Sequence, residues 1–164
     1  MTRERLYQAY INELKFYNPI LKTQSKSDII AGYKQVSAFS DLTWFDLYDG
    51  PEIVGFLLVV TGAHCTVDAD YFIMELYVHP NHRGKGIATR AVSQLIKENP
   101  GNVGLYILNL NIDAHKFWNR IYETHKDCVV KLNTNGQYDD SYGKYQLWSV
   151  KVPSEIGSIK NIVT

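Results

Sequence analysis

The chain has 164 residues and a mass of 18.8 kDa, with 45% hydrophobic and 21% charged residues, which suits one globular domain with its own core and excludes a disordered or fibrous chain. Lysine plus arginine and aspartate plus glutamate both number 17, so the formal net charge is zero and no global argument favours nucleic acid or an anionic membrane as partner. Residues 53–60, the longest strongly apolar run, are too few to span a bilayer, residues 1–10 hold no apolar signal core, and Cys65 and Cys128 cannot form a framework of bridges, so a reducing, cytoplasmic setting is expected.

Leu6, Tyr7, Tyr10, Ile11 and Leu14 form a helical stripe that Asn18-Pro19 ends, and a second helix is predicted after Ser27-Asp28, with Ile29, Ile30, Tyr33 and Val36 at compatible spacing. The period then changes. Residues 42–48 and 53–60 read as strands joined in a hairpin by Asp49-Gly50-Pro51-Glu52, and the polar stretch 61–70 leads to a third strand, 71–78. That strand alternates Tyr71, Ile73, Glu75 and Tyr77 with Phe72, Met74, Leu76 and Val78, so both faces are largely apolar and a central place in a sheet follows. Ile87, Ala88, Ala91, Val92, Leu95 and Ile96 recur at helical spacing until Asn99-Pro100-Gly101 stops them, and residues 103–110 read as a further strand. Asn111 suits an N-cap before a stripe of Ala114, Phe117, Trp118 and Ile121. Residues 128–132 and 144–150 look like closing strands around a polar, tyrosine-rich segment, 133–143, and residues 153–164 read as an exposed tail behind a single domain at 1–152. Two helices, three strands, a helix, a strand, a helix and two strands make a mixed α/β layout.

The junction after the third strand runs Val78-His79-Pro80-Asn81-His82-Arg83-Gly84-Lys85-Gly86-Ile87-Ala88-Thr89-Arg90. Gly84 and Gly86 let backbone approach a ligand closely, the first-turn N–H groups of the following helix lack intrahelical acceptors, and the helix dipole adds partial positive charge. A phosphate is the expected guest, and His82, Arg83, Lys85 and Arg90 supply local positive charge. The turn contains neither Gly-x-x-x-x-Gly-Lys-Ser/Thr nor Gly-x-Gly-x-x-Gly, so the nucleoside-triphosphate loop and the dinucleotide fingerprint do not fit. His64, His79, His82, His115 and His125 show no ligand spacing with a nearby carboxylate or thiolate, and no metal site is expected.

What fits is Arg83-x-x-Gly86-x-Ala88, set within Glu75-Leu76-Tyr77-Val78-His79-Pro80-Asn81-His82-Arg83-Gly84-Lys85-Gly86-Ile87-Ala88. This resembles the Arg/Gln-x-x-Gly-x-Gly/Ala signature of the GCN5-related N-acetyltransferase (GNAT) superfamily, which cradles the pyrophosphate of acetyl-coenzyme A. The resemblance implies an α/β (α+β) fold: a mixed, mostly antiparallel twisted sheet flanked by helices, with splayed central parallel strands, here 71–78 and 103–110. The family's usual first strand, before the two helices, is not evident. The resemblance also implies acetyl-coenzyme A as co-substrate, held by Arg83, Gly84, Lys85, Gly86, Ile87, Ala88 and Thr89 and by the backbone of Leu76, Tyr77 and Val78. Asn111, Phe117 and Trp118 join these through the similarity of Asn111-Ile112-Asp113-Ala114-His115-Lys116-Phe117-Trp118 to the family's Asn-x-x-Ala-x-x-x-Tyr. The implied reaction is transfer of acetyl to a primary amine by direct attack in a ternary complex. The acceptor would be a small-molecule or peptide amine, with no nucleic acid, membrane or metal involved and a homodimer left open.

Glu75 is the best candidate base, because a carboxylate inside an apolar strand has its pKa raised by desolvation; the alternative is a structural carboxylate held by a nearby cation or backbone donor. Trp118 departs from the family's tyrosine, and an indole cannot donate a proton to a thiolate as a phenol can. Tyr122, one helical turn later, is the nearest phenol in sequence to take that task, with Tyr77, Tyr106 or water as alternatives, while Trp118 would wall the pantetheine tunnel. A coenzyme A binding module without transfer activity is the second reading. Acceptor selectivity is expected from residues 6–39 and 133–143, where Asp139 and Asp140 could attract an amine and Tyr138, Tyr142 and Tyr145 could line a pocket or cover the core.

Overall fold

The computed structural model describes residues 1–62, 65, 68–132 and 141–151. His64, Tyr138, Asp139, Asp140 and the expected tail at 153–164 lie outside the described residues. Four helices, α1 (Arg3–Leu14), α2 (Lys26–Ser37), α3 (Ile87–Glu98) and α4 (Ile112–His125), flank one six-stranded sheet. Its strands are β1 (Leu42–Asp49), β2 (Glu52–Thr61), β3 (Tyr71–Val78), β4 (Gly101–Leu108), β5 (Val129–Leu132) and β6 (Gly143–Val150), in the spatial order β1-β2-β3-β4-β6-β5. Every neighbouring pair is antiparallel except β3–β4. Among the described residues no helix is long and apolar enough to cross a membrane.

Local chemistry explains most element ends. Thr2 and Asn111 cap α1 and α4 by accepting from Arg5 and Ala114 amides. The second helix begins earlier than the sequence suggests: Ser25, not Ser27-Asp28, is its N-cap, because Asp28 stands at the third helical position and closes a reciprocal capping box with Ser25. A 3-10 turn at Pro19–Thr23, capped by Asn18, fills what reads in the sequence as a simple helix stop. In the hairpin, Gly50 takes φ 61° at the first central position of the two-residue turn between Asp49 and Glu52. The fourth strand lies two residues earlier than the expected 103–110: Gly101 opens it at φ 128°, beside the Asp70 carboxylate that accepts from the Asn102 amide at 2.7 Å. Leu108 closes it, its carbonyl accepting from the Asn111 amide.

The sheet separates two cores. On the α3/α4 face, Ile87, Ala91, Val92, Leu95 and Ile96 of α3 and Trp118 and Ile121 of α4 pack against Leu57, Val59, Ile73, Leu105 and Trp148. On the α1/α2 face, Leu6, Tyr7, Tyr10, Ile11 and Ile29 pack against Phe56, Leu58 and Tyr77. Covered on both sides, β2 reads as an unbroken apolar run.

The strict alternation expected for β3 does not hold. Its register against β2 slips between Leu58–Glu75 and Val59–Ile73, leaving Met74 as an extra residue without a partner. This bulge changes the phase of the strand. Tyr71 and Ile73 face α3 and α4, but Tyr77 joins the α1/α2 core, while Leu76 and Val78 contribute to the α3/α4 side.

The parallel pairing of β3 with β4 is confined to Tyr71–Val103, Phe72–Gly104 and Ile73–Leu105. Phe72 and Tyr145 stack here, ring centroids 6.2 Å apart and planes 3° from parallel. A Cβ on Gly104 would lie 2.7 Å from both the Phe72 ring and the Tyr145 hydroxyl. Gly104→Ala is therefore expected to lower the unfolding free energy by about 1–3 kcal/mol, as overpacking does, measured by urea denaturation.

Candidate functional site

Beyond Ile73 and Leu105 the two parallel strands part, and no pair joins Glu75–Val78 to Tyr106–Leu108. Main-chain groups on that edge of β3 have no partner strand; apart from the Val78 carbonyl, which accepts from Arg83, they can meet water or a ligand. The chain leaves β3 through a short 3-10 turn at Pro80–His82 and enters α3 at Ile87. Gly84 and Gly86 hold φ of 78° and 75°, conformations that a side chain disfavours, and Gly86 is the N-cap of α3. The first intrahelical donor is the Arg90 amide, bonded to the Gly86 carbonyl at 2.9 Å, so the amides of Ile87, Ala88 and Thr89 precede the helical ladder. Arg83 to Gly86 and Thr89 are exposed, Ala88 is half-buried, and Ile87 anchors the turn in the core. Exposed amides, the positive end of a twelve-residue helix and open space around Gly84 make a cradle that fits a diphosphate.

The cations of this turn are tied to other elements. The Arg83 Nε donates to the Val78 carbonyl at 2.8 Å and its Nη2 to Glu13 at 2.7 Å, with the guanidinium 5.6 Å from the centre of the Tyr77 ring. Lys85 reaches Asp49 on the hairpin at 2.5 Å, and His82 bonds the same oxygen at 2.8 Å. The two neighbours hold the Asp49 carboxyl below its usual range. Arg90 Nη1 donates to the Lys85 carbonyl at 2.9 Å, fastening the turn to the helix.

Glu75 projects from β3 toward α1, opposite Leu58 of the other core. The Tyr10 hydroxyl donates to its carboxylate. Some Glu75 surface is accessible, yet its carboxylate is packed deeply enough that desolvation pushes its pKa up to about 8, with no charged partner offsetting it. Burial, and secondarily the Glu75 charge, push Tyr7 up to about 12. The alternative was a structural carboxylate held by arginine, lysine or a backbone donor; the donor seen among the described residues is the Tyr10 phenol.

The α4 residues take different places. Asn111 spends its side-chain oxygen on the Ala114 amide at 3.0 Å. Trp118, 6% exposed, packs edge-on against Trp148, with Phe117 half-buried beside it. Tyr122 packs on Trp148 as well, 6.0 Å between ring centres, and the Lys131 ammonium stands 4.4 Å over its face. Trp148 pairs with Val103, at the end where β3 and β4 are still joined, and on the sheet face opposite Glu75. The structure thus brings Leu76, Tyr77, Val78 and the Arg83–Thr89 turn together with Glu75, and sets Tyr122 apart from it. Tyr122, the phenol expected to protonate the thiolate, lies one helical turn beyond Trp118 and packs toward β6. Tyr10, Glu13 and Asp49 were not singled out in the sequence; only the helical stripe through Tyr10 hinted that one of them faces the sheet.

The raised pKa has a thermodynamic consequence. Between about 4.5, the ordinary value, and about 8 the folded state binds the Glu75 proton and the unfolded chain does not. The resulting stabilisation is present in full below about 4.5 and is lost as pH rises through about 8. Glu75→Gln is expected to remove this dependence, gaining on wild type in urea unfolding as pH increases across that window.

A family model described as Acetyltransferase (GNAT) family matches residues 5–122. Among solved structures, the chain is similar to an acetyltransferase from Thermus thermophilus, with TM-score 0.59 and 15% identity over 88% of this chain and 86% of that one. It is similar to an N-acetyltransferase from Staphylococcus aureus, with TM-score 0.58 and 13% identity over 90% and 92% of the two chains. It is also similar to PaiA N-acetyltransferase from Thermoplasma acidophilum in complex with coenzyme A, with TM-score 0.53 and 13% identity over 90% and 88%. A search of curated protein sequences finds no match. The matched span takes in α1, the parting strands, the glycine cradle and most of α4, and the chain belongs to the GNAT acetyltransferase family.

Proposed function

We propose that the protein is an N-acetyltransferase that moves the acetyl group of acetyl-coenzyme A to a primary amine by direct attack in a ternary complex, with residues 1–152 as its single domain. One observation carries this reading: a partly accessible carboxylate that no cation among the described residues contacts stands on β3 just past the point where β3 and β4 part, and the same strand runs on into an anion cradle. PaiA, which shares the fold, holds coenzyme A.

The amides of residues 84–89 and the Lys85 ammonium would hold the diphosphate. Lys85 and Asp49 are both partly exposed, and ion pairs so open to solvent are weak, so phosphate can replace the carboxylate. When bound, acetyl-coenzyme A would supply an acetyl group activated as a thioester; the amine nitrogen would form the amide bond as the C–S bond breaks, and the coenzyme A thiolate would leave, taking a proton from water or a tyrosine. The open edge of β3 at Leu76–Val78 offers main-chain donors to the acyl oxygen, a contribution of about 3 kcal/mol in a dry site. Glu75 takes the proton from the substrate ammonium, and Tyr10 holds the ionised carboxylate by donating to it. The raised pKa matters for this step. An alkylammonium loses its proton at about 10.4, so transfer to an ordinary carboxylate is uphill by about 8 kcal/mol, whereas a group near 8 leaves only about 3 kcal/mol.

A coenzyme A binding module without transfer is favoured by the packing of α4, where tryptophan occupies the family's tyrosine position and Tyr122 is engaged with Trp148 and Lys131. Thiol release with a panel of primary amines separates the two readings: saturable cofactor binding without release above hydrolysis would establish the binding module.

Two sets of variants test the roles of the residues. Gly86→Glu places a side chain at φ 75° and a negative charge in the cradle, and should abolish the calorimetric heat of acetyl-coenzyme A binding while circular dichroism stays native. Glu75→Gln should leave that heat near wild type and lower kcat by about 10²-fold or more. In wild type kcat/KM should rise with pH through about 8, as the base ionises, and the variant should lack this limb. Tyr122→Phe tests the acid role: a lower kcat with little change in the KM for acetyl-coenzyme A assigns the thiolate proton to Tyr122, and wild-type turnover at every pH passes it to water or another tyrosine.

A further inference from the structure

The tip of the β1–β2 hairpin is tied to the glycine turn through one backbone bond and one carboxylate. Register between β1 and β2 slips after Leu47, which pairs with Gly55, so that Tyr48 pairs with Ile53 and Val54 is left without a partner in that ladder. The Val54 carbonyl accepts instead from the His79 amide at 2.8 Å, holding the end of β3 against the hairpin. Asp49, the last residue of β1, completes the tie: its Oδ2 accepts from the Lys85 ammonium at 2.5 Å and bonds His82 Nδ1 at 2.8 Å.

The cations of the turn differ in how firmly they are held. Arg83 is fixed by the Val78 carbonyl, by Glu13 and by the Tyr77 ring, and Arg90 donates to the Lys85 carbonyl. Lys85 has 52% of its side chain exposed and reaches Asp49 at the end of a flexible stem. His82, at 19%, is more enclosed. Glu52, the register partner of Asp49, adds a second carboxylate to the hairpin, 4.0 Å from His82 Nε2 and 3.7 Å from the Met1 ammonium. Lys85 first, and His82 after it, hold the Asp49 carboxyl below its usual range. With two donors on one oxygen, Asp49 can release Lys85 and still keep His82.

Resting on the cofactor reading of the cradle, we propose that Asp49 is a built-in competitor of the coenzyme A diphosphate: it holds Lys85 until a phosphate takes the ammonium, and thereby lowers the affinity of the cradle for the cofactor. A diphosphate carries more negative charge than a carboxylate and meets the helix-terminal amides as well, so the exchange runs forward on binding. Asp49 then falls back on His82, and the hairpin gives up one of its ties to the turn. The carboxylate also stands as a like charge beside the incoming phosphates.

Calorimetry of the full chain with coenzyme A tests this at about 0.01 M and about 1 M salt, between which the Debye length falls from about 30 Å to about 3 Å. Asp49→Asn keeps the size and an acceptor oxygen, and should bind about threefold or more tighter than wild type at low salt but alike at high salt. In a Lys85→Met background the same substitution should bring no gain. Glu52→Gln, which removes a charge from the same hairpin away from Lys85, should stay within about twofold of wild type. Carbon NMR of the Asp49 carboxyl in wild type reads the exchange without a variant: its pKa should move up toward the ordinary value when coenzyme A is added, since its main cationic partner has left. An Asp49→Asn chain that binds no tighter than wild type, that gains equally without Lys85, or that Glu52→Gln matches, overturns the proposal and leaves the cofactor reading standing. An Asp49 pKa unmoved by bound coenzyme A also overturns it. No saturable heat in wild type or variant overturns both.

Discussion

The parting of β3 and β4 after three paired positions is the constraint on which the rest of the site depends. Parallel strands that stay paired leave no room between them, and strands that part leave main-chain donors and acceptors that a folded protein must satisfy with water or a guest. Two features of the chain enforce the parting. Gly104 and the Phe72–Tyr145 stack hold the strands together at their paired end, and the bulge at Met74 turns β3 immediately afterwards. The bulge also decides which side chains face which core. It sends Tyr77 to α1 and returns Leu76 and Val78 to the side of α3, so that both faces of the open strand end are packed while its edge is free.

One face of α1 reaches both ends of this open stretch. Tyr10 bonds Glu75 at its root, and Glu13, three residues on, bonds Arg83 where the cradle begins. Arg83, carried by the family motif, is thus fixed by Glu13, the Val78 carbonyl and the Tyr77 ring, and acts as a strut between α1 and the end of β3. The cradle itself relies on amides, which need no side-chain ordering, and on Lys85, whose ion pair with Asp49 is partly exposed and easily exchanged. Glu75 and the glycine turn are carried by one strand and braced by one helix.

Placing Glu75 among aromatic rings penalises its charged form, so the fold favours the protonated carboxyl. Among the described residues one phenol donates to it and no cation contacts it, and burial pushes the carboxyl's pKa up to about 8. A salt bridge in its place would have lowered the pKa instead.

The strand-turn-helix with its two positive-φ glycines, the hairpin at Gly50-Pro51, the Asn111 cap and the candidate base were legible in the sequence, because each depends on a few adjacent residues whose backbone and capping preferences are intrinsic. The start of α2 was misjudged by local ambiguity, since Ser25 and Ser27 both suit a cap and only the box with Asp28 decides between them. The bulge at Met74 left no mark in the sequence, because an apolar strand covered on both faces reads the same in either phase. The partners of the charged groups were equally silent: Tyr10 and Glu75 are 65 residues apart, Glu13 and Arg83 70. Tyr122, chosen for its nearness to Trp118, belongs to Trp148 on a strand formed later in the chain. Sequence by itself determined the local backbone and the chemical types available at the site; register and long-range packing, which depend on how distant elements meet, decided which of those groups face one another.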